Sequence, residues 1–192
     1  MPIEEERLLQ RAIAGDSAAF SLLMEAHEHR MYAVAFRMCG NREDAQDCLQ
    51  EAMLRVYRAI STFKGQSSFS TWIYRITINT CLDELRRRKI RKTTSLDNLL
   101  DSGWSPSDEL DTPENNAIRR EQRRSIEKAI ASLPDDMRAA IVLRDIQGFS
   151  YETIADVLNA NVGTIKSRIS RGREKLRDIL SRQSELFDHQ SV

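Results

Sequence analysis

The stretch Ser150–Leu180, SYETIADVLNANVGTIKSRISRGREKLRDIL, decides how the C-terminal part of the chain folds. Ser150 is a good helix cap, and the short segment after it carries a single apolar face. Asn159-Ala160-Asn161 then predicts a three-residue turn. Beyond the turn, the spacing of apolar residues and one glycine predicts a second helix with one buried stripe, formed by Ile165, Ile169, Gly172, Leu176 and Ile179.

The opposite face of this second helix is basic, with serines between the long side chains. Two short helices joined by a tight turn, the second basic outward, are typical of a helix-turn-helix motif. Small serines let the helix lie deep in a major groove while Arg and Lys reach guanine edges or phosphates. A solvated basic helix is the alternative, but the cap, the turn length and the buried glycine favour DNA. The predicted DNA contacts are Lys166, Ser167, Ser170, Arg171 and Arg173.

The rest of the chain also favours helices, so we predict an all-α fold. Gly and Pro are scarce, at 7 and 4 of 192 residues, and no run alternates apolar and polar residues long enough for a strand. The predicted helices run near Glu4–Ala14, over Ser17–Cys39, from Asn41 to about Ile60, from Ser70 into the basic run, from Pro113-Glu114 onward, and from Pro134 in the first helical position to Gly148.

Charge divides the chain into parts. The totals balance, with 29 Lys and Arg against 29 Asp and Glu, but residues 93–114 hold six acids and no base. The flanking parts are each net basic, and local fields rather than the total decide binding partners. Residues 93–113 are rich in Ser, Thr, Asp and Pro, which predicts an acidic, flexible linker between two small helical domains. The predicted division is 1–92, linker 93–113, 114–182 and tail 183–192.

Composition excludes several classes of protein. No apolar run is long enough to span a membrane, and the N-terminus lacks a signal peptide, so we expect a cytoplasmic protein without membrane insertion. Cys39, Cys48 and Cys81 are too few and scattered for a disulfide framework, so we expect buried thiols, no metal site and no cofactor. No nucleophile–base pair or phosphate-binding loop is recognisable, so we do not expect an enzyme.

A second informative stretch, FKGQSSFSTWIYRITINTCLDELRRRK over 63–89, crowds four aromatic rings beside a basic run in a chain that is 6% aromatic. On a helical wheel from Ser70, the predicted core side consists of Tyr74, Ile78, Cys81, Leu82 and Leu85. A different side consists of Trp72, Ile76, Asn79, Asp83, Arg86 and Arg87.

That second side suits separated DNA strands. Aromatic rings stack on unpaired bases, and arginines contact phosphates. The alternative is that the rings close a small core: we assign Phe69 and Tyr74 to the core, whereas Trp72 is compatible with both roles. The basic run could equally be a solvated helix end, where cations suit the helix dipole.

A third segment, DAQDCLQEAMLRVYRAI, combines a buried stripe with a mixed outer face. The stripe is predicted from Leu49, Ala52, Met53, Val56, Tyr57 and Ile60. The other face carries Asp47, Gln50, Glu51 and Leu54, and an apolar Leu54 among polar residues favours a protein contact. A solvated face is the alternative.

The order of these segments resembles the extracytoplasmic-function (group IV) sigma factors of the sigma-70 family, the two-domain specificity subunits of bacterial RNA polymerase. The matching segments are EDAQDCLQEAMLRVYRAI, FKGQSSFSTWIYRITINTCLDELRR, SLPDDMRAAIVLRDIQGFSYETIADVL and VGTIKSRISRGREKLR. The resemblance implies a sigma-2-like domain that binds core RNA polymerase and opens the −10 element. It also implies a sigma-4-like helix-turn-helix domain that reads the −35 element as duplex, and an anti-sigma factor as a further partner.

The resemblance also implies residue roles. Polymerase contacts fall on Asp47, Gln50, Glu51 and Leu54, and −35 contacts on Lys166, Ser167, Ser170, Arg171 and Arg173. With the residues that side-chain chemistry already indicated, the predicted contacts to the opened −10 strand are Phe63, Lys64, Gly65, Gln66, Ser67, Ser68, Trp72, Arg75, Ile76, Asn79, Arg86 and Arg87. Phe63, the 64–68 loop and Asn79 match the pocket that takes a flipped base. For the linker, a charge mimic of nucleic acid and a solubilising spacer remain open.

Two other functions remain as alternatives. A helix-turn-helix repressor or activator would bind duplex operator independently of polymerase, usually as a dimer on two half-sites. An RNA-binding protein would use the aromatic and basic helix on single strands.

Overall fold

A computed structural model describes residues 3–92 and 113–188, and within these ranges every element is helical, which confirms the all-α prediction. The predicted linker lies outside the described residues except for Pro113. The helix assigned from Val162 runs to Asp188, into the segment predicted as a tail. The helices are α1 (Ile3–Ile13), α2 (Ser17–Cys39), α3 (Arg42–Ala59), α4 (Phe69–Lys92), α5 (Pro113–Ala131), α6 (Asp135–Ile141), α7 (Tyr151–Leu158) and α8 (Val162–Asp188), with a 3-10 turn at Ile60–Thr62 and a π-helical turn at Val142–Ile146.

The chain divides into two compact units. Among the described residues, the first unit contains 3–36 and 43–92, and the second contains 37–42 and 113–188. The first unit therefore holds α1, most of α2, α3 and α4. The second unit holds α5 to α8, including the helix-turn-helix segment. The exact boundaries proposed from charge and composition stay a prediction.

The core of the first unit is built from apolar faces of α2, α3 and α4. Phe69, Tyr74, Ile78, Cys81 and Leu82 are buried as predicted, and Leu85 is half-buried. The buried arc of α4 is wider than predicted, since it also includes Ile73, Thr77 and Thr80.

The two buried threonines are tolerated because each hydroxyl is satisfied within its own helix. Thr77 Oγ1 donates to the carbonyl of Ile73 at 2.9 Å, and Thr80 Oγ1 donates to that of Ile76 at 2.9 Å. Such bonds remove the cost of burying a hydroxyl without a partner. A pattern of polar and apolar residues places threonine on the exposed side of a helix. The sequence prediction therefore left Thr77 and Thr80 out of the buried face of α4.

The prediction that Tyr57 belongs to the buried stripe of α3 is wrong. Its side chain is 54% exposed, whereas Leu49, Ala52, Val56 and Ile60 are buried and Met53 is half-buried. On a 100° wheel Tyr57 lies about 80° from Leu49, at the edge of the stripe. Its ring contacts Phe20 edge-on, with centroids 5.0 Å apart, so it covers the rim of the core.

Side-chain caps fix the helix-turn-helix segment, and the first of them, at Ser150, was predicted from the sequence. Ser150 Oγ accepts a hydrogen bond from the Thr153 amide at 3.0 Å, which caps α7. Asn159 ends α7 in the left-handed region, with φ of 47°. Asn161 Oδ1 then accepts from the Thr164 amide at 2.8 Å at the start of α8. The prediction that Pro134 is the first residue of the next helix is wrong. Pro134 is extended, with ψ of 140°, and immediately precedes α6.

α8 packs closely on α6 because position 172 has no side chain. A β-carbon on Gly172 would lie 2.9 Å from Ile141 Cγ1 and 3.7 Å from Met137 Cβ. Ile165, Ile169 and Gly172 are buried, whereas Leu176 and Ile179 are half-buried as α8 extends past α6. α6 therefore packs beneath the helix-turn-helix.

A buried arginine closes the end of α5 in the second unit. The Arg138 guanidinium donates to the carbonyls of Leu133 at 2.8 Å and Ala131 at 2.5 Å. Burial lowers the pKa of Arg138, while Asp135 opposes that shift. These bonds satisfy carbonyls at a helix C-terminus and tie the α5–α6 turn to the base of α6.

The Gly172→Ala substitution tests this packing. The added methyl overpacks against Ile141, which typically costs about 1–3 kcal/mol, whereas the higher helix propensity of alanine returns roughly 1 kcal/mol. We expect a net loss of stability, measured by amide hydrogen exchange of α8 in the full chain.

Gly163→Ala, in the same helix, is the matched control. A β-carbon there meets only Asn161 Oδ1 at 3.4 Å, an ordinary contact, so this variant should be neutral or slightly more stable. Equal protection of α8 amides in both variants would show that Gly172 does not limit the approach of α8 to α6.

Candidate nucleic-acid interface

α8 presents the predicted basic face to solvent. Its register is set by the Asn161 cap at the N-terminus and by the buried Ile165–Ile169–Gly172 stripe against α6. These constraints turn the opposite face of the first three helical turns outward. All of the predicted −35 side chains are exposed, namely Lys166, Ser167, Ser170, Arg171 and Arg173.

Tyr151, which sequence reasoning missed, lies between Arg144 and Lys166 of the basic face. The guanidinium carbon of Arg144 is 4.6 Å from the centroid of the Tyr151 ring, and Lys166 Nζ is 5.7 Å from it. Both distances are within cation–π range. Arg144 also donates to the carbonyl of Phe149 at 2.7 Å. Tyr151 therefore lies beside both cations, an arrangement with no local sequence signal.

Two arginines of α8 are paired with acids on the α6 side of the unit. Arg173 donates through Nε (3.1 Å) and Nη2 (2.5 Å) to the two carboxylate oxygens of Asp145, and this hydrogen bonding raises the pKa of Arg173. Arg168 Nη2 contacts Asp136 Oδ2 at 2.7 Å. Arg168 is half-buried and lies outside the predicted −35 contacts.

In the first unit, three rings join the 63–68 loop to the start of α4. Ring centroids are 5.3 Å apart for Phe63 and Trp72, 5.8 Å for Phe63 and Phe69, and 5.9 Å for Phe69 and Trp72. Phe69 is buried, whereas Phe63 and Trp72 are half-buried. Trp72 thus helps to close the core and also keeps part of its ring accessible, so its contact with DNA stays a prediction.

The loop between these rings ends in a helix cap and turns at a glycine. Ser68 Oγ accepts from the Thr71 amide at 3.0 Å and caps α4, and Gly65 adopts a positive φ of 69°. Within the loop, Lys64, Gly65, Gln66 and Ser68 are exposed and Ser67 is half-buried.

The outer face of α4 combines an amide, an apolar side chain and arginines. Asn79, Arg86 and Arg87 are exposed, and Arg75 and Ile76 are half-buried. Arg86 contacts Asp83 and Arg87 contacts Glu84, each at 3.6 Å. Because such exposed pairs contribute little to stability, these arginines can exchange a carboxylate for a phosphate at small cost.

The mixed face of α3 is ordered by an ion-pair network that crosses to α4. Arg55 Nε donates to Glu51 Oε1 at 2.8 Å, and Arg55 Nη1 donates to Asp83 Oδ2 at 3.1 Å. The hydrogen bond to Glu51 is the main cause that raises the pKa of Arg55. The predicted polymerase contacts Asp47 and Gln50 are exposed, and Glu51 is half-buried.

An apolar patch lies on the same helix. Leu54 is 49% exposed, and the misassigned Tyr57 lies three residues further along α3 with its ring also open to solvent. Residues three apart are neighbours on a helix surface. The patch is therefore larger than the single Leu54 that the sequence indicated, and the signal was Tyr57 at the edge of the predicted stripe.

The three cysteines are the candidate metal ligands among the described residues. Each of the thiols of Cys39, Cys48 and Cys81 could offer one sulfur ligand to a soft metal ion. A structural zinc site takes four ligands, so these thiols alone do not complete one. The absence of a metal site stays a prediction. In the described ranges, no helix combines the length and apolarity needed to cross a membrane.

Comparison with known proteins places both units in one family. The family model described as Sigma-70 region 2 matches residues 23–90, and the one described as Sigma-70, region 4 matches residues 123–176. The RNA polymerase sigma-H factor of Pseudomonas aeruginosa is 37% identical over 177 residues, covering 90% of this chain and 92% of that protein. The ECF RNA polymerase sigma-E factor of Escherichia coli K12 is 37% identical, covering 91% and 93%.

Solved structures share the fold. The sigma factor RpoE of Bartonella quintana, solved in complex with the anti-sigma factor NepR, matches with a TM-score of 0.70 and 24% identity over 84% of this chain and 96% of that chain. CnrH, solved in complex with the cytosolic domain of CnrY, matches with a TM-score of 0.66 and 24% identity over 93% and 97%. The resemblance seen in the sequence is confirmed: this chain belongs to the extracytoplasmic-function RNA polymerase sigma factors of the sigma-70 family.

Proposed function

We propose that this sigma factor binds core RNA polymerase through α3, holds the opened −10 strand on α4 and the 63–68 loop, and reads the −35 duplex with α8. It acts in the cytoplasm and has no catalysis of its own. The proposed domain limits are 1–92 and 114–182. The observation that carries the proposal is the exposed basic face of α8 in a helix-turn-helix capped at both helices.

The α8 face suits a major groove because its long and short side chains alternate. Ser167 and Ser170 allow close approach of the helix backbone, while Lys166 and Arg171 extend on either side. Bidentate Arg or Lys contacts to guanine discriminate bases, whereas contacts to phosphate fix register. Arg171 is the proposed base reader, and Lys166, held beside Tyr151, is the proposed phosphate contact.

The ring cluster suits an opened strand because its geometry exists before DNA binds. Stacking one base on a protein ring contributes about 1–3 kcal/mol, and flipping a base out of a duplex costs a few kcal/mol. No single ring can therefore hold a promoter open. We propose that Trp72, the pocket formed by Phe63, the loop and Asn79, and phosphate contacts from Arg86 and Arg87 act together.

The α3 face suits a protein partner because apolar and charged groups lie side by side. Leu54 and Tyr57 provide an exposed apolar centre, and Asp47, Gln50 and Glu51 provide a polar rim. Interfaces commonly combine these two parts. Arg55 links Glu51 to Asp83, so the proposed polymerase face and the proposed −10 face are joined through one arginine. An anti-sigma factor is the proposed inhibitory partner, and the Bartonella RpoE was itself solved in complex with an anti-sigma factor.

Transcription from a promoter library with purified core polymerase, with and without the chain, tests the proposal. We expect the chain to associate with core and to stimulate a defined set of promoters. A helix-turn-helix repressor or activator would instead bind duplex operator tightly by itself. Failure both to associate with core and to stimulate transcription would contradict the proposal.

Asp47→Arg should weaken binding to core polymerase about tenfold or more, because it reverses a charge within a partly desolvated contact. Binding of the isolated −35 duplex should not change. Glu28→Arg, which reverses an exposed acid on α2, is the matched control and should leave core affinity close to wild type. Loss of both core and duplex binding in Asp47→Arg would indicate misfolding rather than a lost contact.

Arg171→Ala should reduce discrimination among −35 sequences by about 1–3 kcal/mol, because it removes a proposed base contact. The measurement is duplex competition binding with every single-base variant of the selected −35 site. Lys175→Ala removes a charge from an exposed position of the same helix and should weaken all sequences alike or not at all. An unchanged base profile in Arg171→Ala would show that Arg171 is not a reader.

A further inference from the structure

The ion pair between Arg173 and Asp145 differs from the pair that Arg168 makes with Asp136. Two nitrogens of Arg173 contact two oxygens of Asp145, at 3.1 and 2.5 Å, so the guanidinium plane is fixed. The Arg168–Asp136 contact recorded at 2.7 Å joins one nitrogen to one oxygen. Arg173 is on the exposed basic face and its side chain remains 49% accessible, whereas the side chain of Arg168 is only 26% accessible.

The backbone that carries Asp145 is itself held in place. Asp145 lies in the π-helical turn Val142–Ile146, where the Gln147 amide donates to the carbonyl of Val142 at 3.1 Å. The Phe149 amide donates to the carbonyl of Leu143 at 3.0 Å. The neighbouring Arg144 is tied to Phe149 and Tyr151. A π-helical turn widens the helix locally and is frequent at functional sites.

This arrangement has two physical consequences for a DNA-facing arginine. First, the carboxylate occupies the Nε side of the guanidinium, leaves N–H groups on Nη1 and Nη2 unused by Asp145, and restricts the side chain through two bonds. Second, the negative charge of Asp145 offsets the positive charge of Arg173, so the pair attracts a phosphate less than a lone arginine does. The first effect favours a correctly placed acceptor, and the second weakens contacts with any other duplex.

We propose that Asp145 is a positioning residue for −35 recognition, which holds Arg173 in one orientation and suppresses its binding to the phosphates of unrelated DNA. This inference rests on the proposed function of α8. It assigns a role in sequence discrimination to an acid outside the recognition helix.

The test is Asp145→Asn in the full chain, which removes the charge with little change in shape. Two duplexes are compared between about 50 and 200 mM salt: a −35 site selected by the wild-type holoenzyme, and the same site scrambled. Affinity for the scrambled duplex should rise, and the slope of its log affinity against log salt should steepen by about one unit. The ratio of specific to scrambled affinity should fall about three- to tenfold, because an ordered side chain becomes mobile.

Two further variants separate positioning from a general gain of positive charge. Asp136→Asn removes the acid that contacts Arg168, the other arginine of α8 described above. It should leave the ratio of specific to scrambled affinity at its wild-type value. Asp145→Asn in an Arg173→Ala background should also leave the ratio unchanged, because the residue it positions is gone. Amide exchange of α8 checks that the variants are folded.

The inference is overturned if Asp145→Asn and Asp136→Asn give the same ratio and the same salt slope. It is also overturned if Asp145→Asn lowers the ratio equally with and without Arg173. If the wild-type chain bound the selected and the scrambled duplex equally well, the proposed function of α8 would be contradicted instead. The two failures are therefore distinguishable.

Discussion

The second unit depends on one close contact, the approach of α8 to Ile141 of α6 at Gly172. Because this approach buries the Ile165–Ile169–Gly172 stripe, the opposite side of α8 must face solvent. The helix register then decides that serines and long cations share the exposed face. The caps at Ser150 and Asn161 set where each helix begins, but the packing of α8 on α6 sets which way the recognition surface points.

The first unit has a different proposed ligand, an opened DNA strand rather than a duplex. Phe69 is buried and supports Phe63 and Trp72, which remain partly accessible. A ring that stabilises the core and also contacts DNA loses little conformational freedom on binding. A residue of α3 likewise has two roles. Arg55 holds Glu51 on the proposed polymerase face and also contacts Asp83 of α4.

Structural features that depend on residues close together in the sequence could be predicted. The Ser150 cap, the turn at 159–161, the stripe of α8 and its exposed basic face follow from helical spacing and from residues that cap helices. Buried Tyr74 followed from helical spacing, and buried Phe69 followed from the alternative that the rings close a small core. Tyr57 was misassigned because it lies at the edge of its stripe, where contact with Phe20 and not periodicity decides exposure.

Contacts between distant residues could not be predicted. Asp145 and Arg173 are 28 positions apart, and their pairing needs the π-helical turn and the α6–α8 packing to be formed. The position of Tyr151 between Arg144 and Lys166 has the same origin. Thr77 and Thr80 are buried only because their hydroxyls bond within α4, which a polarity pattern does not show.

The central claim is that this chain captures unpaired bases only as part of a polymerase complex. Mapping of single-stranded thymines by permanganate on a responsive promoter tests it most directly, with the chain alone, core polymerase alone and both together. The account predicts reactive thymines at the −10 element only with both components, and their loss when the −35 site is scrambled. Protection of intact duplex at two symmetric half-sites by the chain alone, without reactive thymines when core is added, would contradict it.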